Sequence, residues 1–230
     1  MEADARNTAA VQADEIIAEF EARADAPKAR PATDFPPALE VGACVATAVA
    51  VLALAWLSVA NGALVPFLWG VDLGIHEFGH MVTAWAPWRV VAFAGSFFQV
   101  TVPFALGCYF LFGRRQPLAS ALCLAWAATS ARNVAVYIAD APYQRLSLWG
   151  GPGVLHDWAQ LLAGPAMRYA GALAGTVEAS AWALIAVALA VALAPAAIGV
   201  RATLQARSHA RAFAPRRPTL AVREPHRPIG

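Results

Sequence analysis

Two histidines four residues apart flank a glutamate in the stretch His76-Glu77-Phe78-Gly79-His80. On an α-helix, positions i and i+4 differ by about 40° of rotation, so both imidazoles leave the same face. Two imidazoles on one face can share a Zn2+ ion, and a glutamate beside them can take the proton of an attacking water. Zinc brings the pKa of a coordinated water toward ~7 and polarises a carbonyl, so the chemistry implied is peptide hydrolysis. The surroundings add weight. Three ionisable groups within five residues of an apolar segment are costly unless paired, hydrated or bound to metal. The plainer alternative is a pair of histidines that hydrogen-bond neighbouring helices.

A hydrolytic zinc site needs a third protein ligand and an open fourth position. The segment between residues 41 and 200 offers few: Asp72, Asp140, His156, Asp157 and Glu178. Asp157, with His156 as the alternative, stands out because two ligand types sit together after Gly150-Gly-Pro-Gly. Asp140 reads as a charge at a helix end. Glu178 reads as a partner for Arg132 or as a group facing a cavity. Asp72 falls on the same helical stripe as His76 and could accept its second ring N–H, or it could pair with Arg132. Asn133 and Gln99 are amides in apolar surroundings that could hold a substrate strand, steady a tetrahedral intermediate or link helices.

The elements that must position these groups are membrane spans. Of the 230 residues, 59% are apolar and only 14% charged, where soluble domains run near 25% charged. The charges are unevenly spread: nine acids and four bases in residues 1–40, five acids and six bases in 41–200, and seven arginines with one acid in 201–230. Soluble globules, disulfide scaffolds and disordered chains are excluded. The expected organisation is an acidic soluble head and Pro-rich linker over 1–38, a membrane domain over 39–200, and an Arg-rich, disordered tail over 201–230. The head carries a short helix over 8–25. The fold class expected is all-α, a multi-pass transmembrane bundle of about five spans near 39–60, 63–85, 90–113, 116–139 and 169–200. A re-entrant segment over 150–168 is the remaining possibility. Gly171-Ala-Leu-Ala-Gly175 suits close helix packing. Trp69, Trp85, Trp88, Trp149 and Trp158 fall where interfacial anchors are expected. Cys44, Cys108 and Cys123 lie in apolar runs without CxxC spacing and read as small buried residues.

His76-Glu77-Phe78-Gly79-His80 inside a hydrophobic helix, followed by two more spans and an aspartate-bearing segment, resembles the site-2 protease family of intramembrane zinc metalloproteases. The resemblance covers about residues 63–168. It implies His76, His80 and Asp157 as zinc ligands, Glu77 as catalytic base, and a membrane-protein substrate. The family's later aspartate usually sits in an Asp-Gly pair, whereas here it is His156-Asp157-Trp158, so the chain reads as a divergent member. A protease-like scaffold without activity is the competing reading; it would have no reason to keep Glu77 between two ligands. Nothing beyond the basic tail points to nucleic acid. Arg114, Arg115 and the tail place the C-terminal end on the cytoplasmic side by the positive-inside rule.

Overall fold

The computed structural model describes residues 37–62, 64–148 and 154–212, and the readings made for the head, the linker, Trp149 and Gly150-Gly-Pro-Gly lie outside them. Among the described residues every regular element is helical. Helix α1 (Pro37–Leu54) continues as a wider π turn over Ala55–Ala60. Helix α2 is Leu68–Val82, α3 is Trp88–Cys108 with a π turn over Tyr109–Gly113, and α4 is Pro117–Asp140. After a turn over 141–143 and irregular chain over 154–156 come the five-residue α5 (Asp157–Leu161), a 3-10 turn over Gly164–Tyr169 and α6 (Ala170–Ala212).

Four of these helical stretches are long and apolar enough to cross a membrane: Leu39–Ala60, Trp88–Gly113, Pro117–Asp140 and Gly164–Arg201. They correspond to four of the five expected spans. The fifth, expected over 63–85, is α2, which is only 15 residues long. At 1.5 Å per residue it reaches ~22 Å, short of the ~30 Å of a hydrocarbon core. Within the segment expected as re-entrant, residues 154–156 are irregular and two short helical pieces follow, Asp157–Leu161 and Gly164–Tyr169. The last helix also runs on through Ala212 rather than ending at 200, into the stretch expected to be disordered.

Helix α4 packs against α1, α3 and α6. Its buried face is built largely of alanine, including Ala121, Ala125, Ala128 and Ala131. Small side chains let helix backbones approach closely, and the contact then comes from dispersion. The facing stripe of α6 is Ala174, Ala181, Ile185, Ala188 and Ala192, all buried. That spacing follows a heptad seam. The seam replaces the expected Gly171 and Gly175 pair, both exposed, with nothing near the position of a Cβ at either. Trp69, Trp85 and Trp88 are exposed, whereas Trp158 is buried and donates its indole N–H to Ser96 Oγ at 3.0 Å. Arg132 reaches two elements: Nε lies 3.5 Å from Glu178 Oε1 and 3.3 Å from the Val59 carbonyl. Of the two readings for Glu178, pairing with Arg132 is the one found.

Candidate metal centre

His76 and His80 lie in α2, one turn apart, with His80 two residues before its end. They meet α3 through two glycines. A Cβ on Gly79 would stand 2.7 Å from the Ala94 carbonyl oxygen, so α2 and α3 touch backbone to backbone. A Cβ on Gly95 would stand 2.6 Å from His76 Nε2 and 2.7 Å from His80 Cε1. The space that holds both imidazole edges exists because residue 95 has no side chain.

The outer nitrogen of each ring is committed. His80 Nδ1 lies 2.7 Å from the Val91 carbonyl, which can only accept, so Nδ1 carries the proton. His76 Nδ1 donates to Gln99 Oε1 at 3.0 Å. Both Nε2 atoms are then unprotonated in the neutral rings, and both face Asp157. Asp157 Oδ2 stands 3.2 Å from His76 Nε2 and 3.4 Å from His80 Nε2. Among the described residues, these three side chains form the one group of three or more His, Cys, Asp or Glu whose ligand atoms gather within 4.8 Å.

With both Nε2 atoms unprotonated, two lone pairs and a carboxylate oxygen at these distances repel unless a positive charge, a proton or a metal ion, lies among them. Ligands of a tetrahedral zinc with bonds of ~2.05 Å stand about 3.3 Å apart. The donor set, its spacing and the Gly95 cradle therefore all fit a zinc ion.

A cavity of ≈ 590 Å³ adjoins the group, and Glu77, exposed, lines it together with Asp72, Asn133 and Tyr137. A second cavity of ≈ 420 Å³ shares His80 and Asp157 as walls. The structure brings His76, Glu77, His80 and Asp157 together, with Asp72, Gln99 and Asn133 lining the same cavity.

His156, the alternative third ligand, is turned away. Its Nδ1 accepts the Ala159 N–H at 3.3 Å as the N-cap of α5, and its Nε2 lies 3.5 Å from Asp140 Oδ2. Burial depresses its imidazole below the ordinary value, with Asp140 and Asp157 acting in the other direction. Asp72 is not the acceptor for His76; that acceptor is Gln99. Its buried carboxylate instead takes hydrogen bonds from Trp126 Nε1 (2.7 Å), Ser130 Oγ (2.9 Å) and Asn133 Nδ2 (3.4 Å), and so ties α2 to α4. Asn133 is thus a helix-linking amide at the cavity wall. Tyr137 was not singled out from sequence, yet its hydroxyl lies 3.3 Å from Asp157 Oδ2. A signal existed: Trp126, Ser130, Asn133 and Tyr137 recur at helical spacing and put one polar stripe on α4.

No family model matches the chain, and neither a curated protein nor a solved structure matches it.

The Gly95 cradle makes a prediction. Gly95→Ala forces either the imidazoles to rotate or α3 to withdraw, and overpacking of this kind costs ~1–3 kcal/mol. Zinc affinity is expected to fall about tenfold or more, with helix content by circular dichroism unchanged. A chelator competition that returned wild-type affinity would show that the rings do not need that space.

Proposed function

We propose that this chain is a membrane-embedded zinc metalloendopeptidase, a divergent member of the site-2 protease family, that hydrolyses peptide bonds of membrane-protein substrates. The observation that carries the reading is the convergence of two imidazole Nε2 atoms on the Asp157 carboxylate, beside a cavity that Glu77 lines. His76, His80 and Asp157 would hold the ion. When bound, zinc would supply a Lewis acid for the scissile carbonyl and a more acidic water.

The chain's own groups supply the rest. Gln99 and the Val91 carbonyl fix the tautomers and the ring planes of the two histidines. The Glu77 carboxylate accepts the proton of the attacking water and returns it to the departing amine. Leu64, Trp69, Val154 and Leu155 at the cavity wall are apolar, which suits an unwound piece of a membrane span. The short α2 supports a site near one edge of the bilayer, within reach of water, because His80 lies at the end of a helix that spans only part of the core. In this topology α2 is a fifth, incomplete span, and the Arg-rich C-terminal tail is cytoplasmic by its charge.

The test uses the purified full chain with a panel of single-span membrane reporter proteins in detergent. Cleavage of at least one reporter is expected, lost on chelation and restored by added Zn2+. Cleavage that survives removal of all bound metal would overturn the reading.

A further inference from the structure

Asp157 is held by a chain of residues that includes none of the proposed ligands. The Tyr137 hydroxyl donates to Asp157 Oδ2 at 3.3 Å and accepts the Asp157 backbone N–H at 3.1 Å. One oxygen thus grips both the carboxylate and the main chain of the same residue. The carboxylate oxygen it grips is the one that faces both imidazoles. Tyr137 is itself seated: its ring stacks on His156 with centroids 4.1 Å apart and planes 25° from parallel. His156 is fixed at the N-cap of α5 and faces Asp140. Asp140 in turn accepts the backbone N–H groups of Arg145 and Leu146, each at 3.0 Å, as the chain leaves α4.

We propose that Tyr137, seated by His156 and Asp140, is the positioning residue that fixes Asp157 as the third metal ligand. The inference rests on the metal reading above and assigns a part that the ligand set leaves open. His76 and His80 share one helix, and their spacing is set locally. Asp157 begins a helix of only five residues, preceded by irregular chain at 154–156, so its side chain has no such support from its own element. The rigid partner is α4, and Tyr137 is its point of attachment. Orienting groups of this kind are typically worth ~10–100-fold in metal affinity. The hydroxyl carries the effect, whereas the ring carries the stack on His156.

That division supplies the test. In the full-length purified chain, zinc affinity is measured by chelator competition for wild type, Tyr137→Phe and Tyr143→Phe, and each is also loaded with Co2+ to record its d–d absorption. Tyr137→Phe keeps the ring and is expected to bind zinc about 10–100-fold more weakly, with an altered cobalt spectrum. Tyr143→Phe, at an exposed tyrosine, is expected to match wild type in both. Equal affinity and an identical cobalt spectrum for Tyr137→Phe would overturn the positioning role while leaving the metal site standing. Wild-type protein that binds neither metal would overturn the metal reading itself, and this inference with it.

Discussion

Glu77→Gln is expected to lower peptide-bond cleavage about 100- to 10,000-fold while zinc content stays at the wild-type level. The size follows from the loss of a general base, which contributes typically 10²–10⁴-fold. Zinc retention follows from geometry: Glu77 lines the cavity, while the gathered ligand atoms belong to His76, His80 and Asp157. Glutamine has the same length and keeps the polar end, but it cannot take a proton at neutral pH. Paired measurements of metal content and turnover decide the point. Full activity in this variant would remove Glu77 from the chemistry, and loss of zinc with activity would make it part of the ligand set instead.

Asp157→Ala is expected to abolish both. Removing the carboxylate leaves two imidazoles alone, fewer than the three protein ligands a hydrolytic zinc site uses. The loss in affinity should exceed the ~10–100-fold that follows from disturbing an outer partner. The helix that begins at Asp157 should survive, because its cap is supplied by His156 and not by the substituted side chain. Circular dichroism therefore controls for folding, and chelator competition reads the affinity. Retention of zinc at wild-type affinity would move the third ligand to another group.

The two imidazoles and Glu77 were legible in the sequence because their relation is local: four residues on a helix determine a face without any knowledge of neighbours. Asp157 was legible for a different reason. So few ionisable groups occur between 41 and 200 that the candidates for a third ligand form a short list, and of these the Asp157 carboxylate is the one beside both imidazoles, while His156 caps α5. What stayed hidden depends on approach between helices. Asp72 shares α2 with His76, four residues ahead of it, but its donors come from α4, 54 to 61 residues away in sequence. Gln99 was visible as an amide in an apolar run, yet nothing local says that it faces His76. The Gly171 and Gly175 pair looked like a packing motif, whereas the alanines of α6 make the seam, since a methyl already permits close contact. The length of α2 was overestimated because apolar composition continues through the turns on both sides of it.

The central claim is that His76, His80 and Asp157 together hold one zinc ion, and X-ray absorption at the zinc edge of the purified wild-type chain tests it most directly. The expected result is one zinc per chain with only nitrogen and oxygen neighbours at ~2.0–2.2 Å, two of them imidazoles. A chain without stoichiometric zinc, or sulfur neighbours at ~2.3 Å from the cysteines, would contradict it.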